Sequence, residues 1–301
     1  MNHKTTPILT AYLGVIFIWS STPTTIRWSH EGVDSYTALL LRVGVAALLA
    51  FLLAILFNKK PAWNKPALLH YIAANLGASF SLLFVYFSSH HVAPGIISVV
   101  YGLSPLLTGV LSLFFLKEKK IAPHEWLAFV VGLAGLLIIF IEEFFEKSVS
   151  LIGFSIVFSS VFFHAISTVL VKRYPLEVHP LTSVTGTLIL SLPFMALLAL
   201  LNIETHQFMP STRALLSSLY LSLFGSLGAL WCLFYLLKNL KATTVNLATL
   251  ITPILGLFFS VYFNHDTFSI HIYIGTFMII SALSLYLYGH KLSRQSTGKP
   301  E

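Results

Sequence analysis

An all-α polytopic membrane protein, with ten transmembrane helices as two inverted five-helix repeats, is the fold class this sequence predicts. Three observations predict it. Of 301 residues, 56% are hydrophobic and only 10% charged, against roughly 25% charged in an ordinary soluble domain. Apolar stretches close to the ~20 residues a helix needs to cross a hydrocarbon core recur along the whole chain. A proline-centred pattern also occurs twice. Together these exclude a water-soluble enzyme and a disordered chain.

The apolar stretches run over 8–27, 35–57, 67–89, 93–116 and 124–141, then over 150–171, 179–201, 213–237, 242–263 and 270–289. Polar punctuation separates them, as at Asn58-Lys59-Lys60-Pro61, Lys117-Glu118-Lys119-Lys120, Lys172-Arg173 and Lys238-Asn239. Whole segments such as Leu48–Phe57 and Leu133–Ile141 are apolar, whereas a membrane β-strand alternates over about ten residues. Lys4 precedes the first stretch as in a signal peptide, but no small-x-small site follows, so this stretch reads as a retained helix.

Basic residues set the expected orientation, because cytoplasmic loops accumulate them. Fourteen of the 18 Lys and Arg lie in the N-terminus, the loops 58–66, 117–123, 172–178 and 238–241, and the C-terminal tail. Three, Arg27, Lys147 and Arg213, lie in the alternate regions, and Arg42 lies inside a span. Glu142, Glu143 and Glu146 cluster in one outer loop. Both termini are therefore expected in the cytoplasm, which demands an even number of spans. The net charge of +7 is then an insertion signal, and no nucleic-acid partner is expected. Cys232 is the one cysteine, which leaves no internal disulfide or Cys-based metal site. No metal or cofactor is expected.

The fourth and ninth spans carry the repeated pattern. Ser104-Pro105-Leu106-Leu107, Ser112 and Glu118 align with Thr252-Pro253-Ile254-Leu255, Ser260 and Asp266 at a constant offset of 148. Glu118 lies among lysines and Asp266 has none nearby, so the same pattern ends on opposite faces. Five spans per half is an odd number, which inverts one half relative to the other. The boundaries expected are 1–145 and 146–290 for the halves and 291–301 for a cytoplasmic tail. Inverted repeats build transporters whose solute site lies near the midplane. Pro105 and Pro253 each remove a backbone donor and free a carbonyl one turn earlier. They read as hinges beside that site or as packing bends.

With these residues in place, the sequence resembles the drug/metabolite transporter superfamily, specifically its ten-helix EamA-type exporters, over about residues 8–290. The resemblance rests on the two five-span halves, on Trp19-Ser20 where the family usually shows Trp-Gly, and on Arg42. It rests also on Pro105 and Pro253 with their downstream acids. Phe163-His164-Ala165 stands where the family shows Trp-Ala. The resemblance implies a central cavity formed mainly by spans 1, 3, 4, 6, 8 and 9.

Polar groups in the middle of those spans are the solute-binding candidates, since lipid offers them no partners. These are Trp19, Ser20, Asn75, Ser79, Tyr101, His164 and Thr249, with Ser21, Ser104, Ser226 and Thr252 beside them. Tyr86, Trp231, Tyr235 and Asn246 lie nearer the cavity mouths. Ser and Thr can instead bond a carbonyl of their own helix. Asn75 cannot satisfy its whole amide that way. His164 either meets a solute or a proton, or bridges two helices as a neutral ring. The aromatic rings either line a pocket or anchor the protein at the interface. Arg42 is expected to pair structurally with helix-end carbonyls, with an anion anchor at the cavity rim as the alternative.

The function expected is transport of small metabolites, amino acids or related compounds, by alternating access through a midplane cavity of a bacterial inner-membrane protein. No Asp or Glu lies in a span interior, with Glu118, Glu125 and Glu142 at interfaces, which favours facilitated diffusion or exchange over proton pumping. A lipid flippase or scramblase on the same scaffold is the alternative. The zinc, nucleophile-elbow and paired-carboxylate signatures of an intramembrane enzyme are absent from the sequence. The partners expected are a small-molecule solute and the lipid bilayer. Gly132-Leu133-Ala134-Gly135 could pack within the chain or between copies, so the sequence leaves the oligomeric state open.

Overall fold

The computed structural model describes residues 5–116, 123–146, 151–202, 209–246, 248 and 251–296, which form helices and short turns with no strand among them. Local chemistry starts several helices. Asp34 accepts the backbone N–H groups of Tyr36 and Thr37 at 2.9 and 3.0 Å and opens α2, Ser35–Leu56. Asn64 accepts Ala67 N–H and opens α3, Lys65–Ser88. Ser211 does the same through Ala214 N–H for the helix Thr212–Asn239. Each side chain satisfies a donor that the first helical turn leaves unpaired.

Helix occupies every one of the ten apolar stretches. Among the described residues, six helices are long and apolar enough to cross a membrane: α2, α3, Pro94–Phe115, Ile152–Arg173, Pro180–Leu201 and Thr212–Asn239. Shorter apolar helices cover Pro123–Ile139, Thr252–Asn264 and Ile270–Tyr286, and α1 spans Thr5–Ser29. Large apolar side chains such as Phe17, Phe51, Leu52, Phe258 and Phe277 stand on the outside. A soluble monomer rarely exposes so extended an apolar surface; lipid makes it favourable, and the protein is an integral membrane protein.

Both stretches with the repeated proline pattern are broken, whereas Pro23 and Pro193 lie inside unbroken helices. The fourth divides into α4, Pro94–Tyr101, and α5, Ser104–Phe115. The later helices are α6, Pro123–Glu146; α7, Leu151–Arg173; α8, Pro180–Leu201; and α9, Thr212–Asn239. The ninth stretch gives α10, Ala242–Asn246, and α11, Thr252–Asn264, and α12 covers Ile270–Ser296. Pro105 and Pro253 each take the second position of the helix after the break. The sequence reads them as hinges or packing bends within the two spans; the structure ends a helix ahead of each. A proline lacks the N–H and crowds the preceding turn, but it fits the first turn, where no donor is missed.

Two helices also carry π-helical stretches, Leu76–Ser81 in α3 and Leu221–Gly228 in α9. Side-by-side packing pairs α6 with α12, α2 with α8, and α4 with α11, while α1 lies against α9 and α11. Helix α7 lies against α3 and α5. The small-residue stripe is used inside the chain. A side chain at Gly135 would meet Gly275 O and Met278, and one at Gly132 would meet Leu106 and Leu103.

Turns gather at two ends. At one, Arg27 pairs with Asp266, Trp28 Nε1 donates to Asn264, and Glu31 meets Arg213 and Ser211. Gly32 belongs here, with φ at +77° and its carbonyl accepting Met209 N–H. A Cβ at Gly32 would stand 2.0 Å from Met209 O, so only glycine fits. At the other end, the Lys172 ammonium donates to Leu237 O and Leu240 O, Arg173 to Phe115 O, and Thr182 to Lys59 O.

Candidate functional site

A cavity of about 130 Å3 lies in the middle of the bundle, walled by α1, α2, α3, α4, α7, α9 and α11. The broken fourth stretch reaches it through Ile97, Ser98 and Tyr101, and the ninth through Thr252. Both π-helical stretches reach it too, one through Gly77, Ala78 and Ser81, the other through Gly225 and Ser226. An inserted residue in a helix redirects side chains and loosens the carbonyl ladder, and such stretches gather at functional sites.

Arg42 shows what that loosening permits. Arg42 is 3% exposed. Nε donates to Ser226 Oγ at 2.9 Å and Nη2 to Gly225 O at 2.8 Å, so α2 is tied to the π-helical stretch of α9. Gly225 permits this close approach, since a Cβ there would lie 2.9 Å from Nη2. The guanidinium carbon also stands 5.9 Å from the Tyr86 ring centroid. Nη1 is buried and has no hydrogen-bond partner. Leaving such a donor unsatisfied costs about 1–3 kcal/mol, more for a charged group. No Asp or Glu is among the described residues lining the cavity.

Another part of the wall is aromatic and hydroxylic. The Trp19 and His164 rings meet edge to face at 5.1 Å, and Tyr101 lies 5.7 Å from His164. The Tyr101 hydroxyl is shared with Ser160 at 2.5 Å and Ser81 at 2.9 Å, and Ser160 Oγ donates to Ser81 O. This network fixes the Tyr101 ring. Ser81 and Ser160 were not among the residues singled out from the sequence. The signal that could have found Ser81 is the small-residue run Gly77-Ala78-Ser79 just before it, matched by Gly225-Ser226 in the third span of the other half.

Of the residues singled out, the structure brings Trp19, Tyr101, His164 and Arg42 together on the cavity wall. Ser20 is buried and donates to Ile16 O in its own helix. The Asn75 amide donates to Tyr71 O and Thr187 O, bridging α3 to α8, and its oxygen accepts Ser79 Oγ–H at 2.5 Å. These three lie outside the cavity lining. Trp231 is 41% exposed, with its ring beside His179, and Tyr235, half-buried, is likewise off the wall. Thr249 and the Asn246 side chain lie outside the described residues. Pro105 and Pro253 are buried next to the breaks.

One titratable cluster stands at the Arg27 end. The His30 and His90 rings stack at 4.5 Å, with Ser89 on His30 Nδ1 and Ser35 on His90 Nε2. Burial, then the neighbouring His90, pushes His30 down to about 3, against an opposing pull from Asp34. His90 is lowered by burial and by His91. Among the described residues, no group of three or more His, Cys, Asp or Glu is placed to hold a metal ion.

A model of the EamA-like transporter family matches residues 6–141 and again 151–288. The uncharacterized transporter YdfC of Bacillus subtilis is 26% identical over 262 residues, 86% of this chain and 84% of its own. The uncharacterized inner membrane transporter YedA of Escherichia coli K12 is 26% identical over 292 residues, 95% and 92% of the two chains. A solved crystal structure aligns with a TM-score of 0.68 at 16% identity, over 93% of this chain and 97% of its own, and so shares the fold.

Proposed function

The chain belongs to the EamA-like transporter family, and on that premise we propose that it carries a small metabolite, an amino acid or a related compound, by alternating access through the central cavity. The observation that carries this reading is one mid-bundle cavity reached by broken or π-helical segments from both halves. Trp19, Tyr101 and His164 form the solute wall. Asn75, with Ser79 on its oxygen, ties α3 to α8, Ser20 bonds within α1, and the breaks at Pro105 and Pro253 are the hinges.

The architecture proposed is ten crossings in two inverted five-helix halves, 1–145 and 146–290. Two family matches, one in each half, support it. The packing supports it too: exchanging each of the ten stretches for the one five places away leaves the main helix pairings the same. The regions predicted to be outer meet at the Arg27 end, and those predicted to be cytoplasmic meet at the Lys172 end. The likeness to YedA supports a bacterial inner membrane, and the basic loops favour both termini and the tail 291–301 in the cytoplasm. A wall without carboxylates supports facilitated diffusion or exchange.

Counterflow in proteoliposomes tests the reading. Radiolabelled amino acids should exchange saturably, and Trp19→Ala or His164→Ala should lower the rate about tenfold or more, while Trp231→Ala leaves it near wild type. Saturable movement of a fluorescent lipid with no solute exchange would replace this reading by the lipid flippase.

A further inference from the structure

The cavity presents a single full charge of one sign. Among the described residues Arg42 lines it, no Asp or Glu does, and the ion pairs lie at the Arg27 end of the bundle. A guanidinium is a planar fork of five N–H donors that stays charged. Two of its nitrogens are used by Ser226 and Gly225, which hold the plane in place. Nη1 is buried, and neither a protein acceptor nor a counter-charge answers it.

Resting on the transporter reading above, we propose that Arg42 is the specificity determinant of the cavity and takes one carboxylate of the solute through Nη1. The transported class is then small monocarboxylates, amino acids included, with the organic body against Trp19 and Tyr101. A carboxylate supplies one negative charge in the plane that the fork requires. A polyanion would find no second cation on the wall. A cation lacking a carboxylate would face Arg42 with no acid to offset it. Nη1 is closed off in this conformation, so a carboxylate binds best to states in which α2 and α9 part enough to uncover it. Solute binding and the rocking of one half against the other thereby share one side chain, since Arg42 belongs to α2 and its two acceptors to α9.

Proteoliposomes loaded in turn with phenylalanine, 3-phenylpropionate, phenylalaninamide and phenethylamine test this. Wild-type protein should move the two carboxylates at least about tenfold faster than the amide and the amine, because a site built to pair one group rejects an analogue lacking it. Arg42→Gln should erase that ratio, and Arg42→Lys, a point charge without the fork, should keep part of it. Should Arg42→Gln fail to fold, wild-type thermal unfolding gives the same reading: 3-phenylpropionate should raise the midpoint and phenylalaninamide should not. Equal transport of both classes by wild type, or an unchanged ratio in Arg42→Gln, overturns the carboxylate assignment and leaves the transporter reading standing. Absence of saturable movement for these and for any wider panel of metabolites overturns the transporter reading itself.

Discussion

At the Arg27 end of the bundle, side chains close on side chains: Arg27 on Asp266, Glu31 on Arg213 and Ser211, Trp28 on Asn264, His30 against His90. At the Lys172 end, the same task falls to basic groups on backbone oxygens: Lys172 on Leu237 O and Leu240 O, Arg173 on Phe115 O. The first kind of closure contains both signs of charge and titratable rings, so pH and salt can loosen it. The second places cations on carbonyls at helix C-termini, where the helix dipole favours them. It needs no acid, which agrees with a face crowded with lysine. The alternating-access cycle proposed above would open each end in turn, and the difference would make the two openings separately adjustable.

The strongest way to break this comparison is at Gly32. Gly32→Ala forces a Cβ against Met209 O at a positive φ, and should cost about 3 kcal/mol of stability, read by thermal unfolding in detergent. It should also raise labelling of cysteines placed at the Arg27 end and leave the Lys172 end unlabelled. Equal labelling at both ends would show that they are not separate.

Next in size is Lys172→Met. Loss of two charge-assisted bonds to Leu237 O and Leu240 O should cost about 2 kcal/mol, with little dependence on salt. A strong salt dependence would place this end in the same class as the other.

Acidification sharpens the contrast. Burial holds His30 neutral in the folded protein down to about 3, whereas in the unfolded chain it takes a proton near the ordinary histidine value of 6.5. Between those values the unfolded state binds more protons. Stability is therefore full above the unfolded value and falls as pH drops, by at most about 1.4 kcal/mol per pH unit. Unfolding midpoints measured from pH 7.5 to 5 should fall in wild type and fall less in His30→Gln. A flat wild-type profile would remove the histidine stack from the closure.

The smallest effect belongs to Arg27→Gln. With Arg27 45% exposed, its pair with Asp266 should contribute about 0.5 kcal/mol, lost by high salt. A larger or salt-resistant loss would mean that the pair is part of a tighter network with Ser260, whose hydroxyl donates to Asp266.

Much of the fold was legible before any coordinates. Each apolar stretch became helix, because in lipid a backbone must satisfy its own polar groups; the repeated prolines Pro105 and Pro253 marked where two stretches break, while Pro23 and Pro193 sit inside unbroken helices. Trp19, Tyr101 and His164 were legible as cavity candidates, since large polar-edged rings in mid-span need company other than lipid. Asn75 misled for a definite reason: its amide does need partners, but Tyr71 O and Thr187 O supply them from the neighbouring backbone. Ser20 met its need inside its own helix. The π-helical stretches, which bring Gly225 O to Arg42, have no residue signature as sharp as a proline.

By itself, then, the sequence determined that this chain lives in a bilayer and where its helices lie. Those properties follow from hydrophobic length, charge placement and the backbone's own hydrogen bonding. Only the tertiary structure decided which side of each helix faces the cavity. In a membrane the lipid-facing and protein-facing sides are both apolar, so no amphipathic stripe orients a helix, and close packing settles its rotation instead.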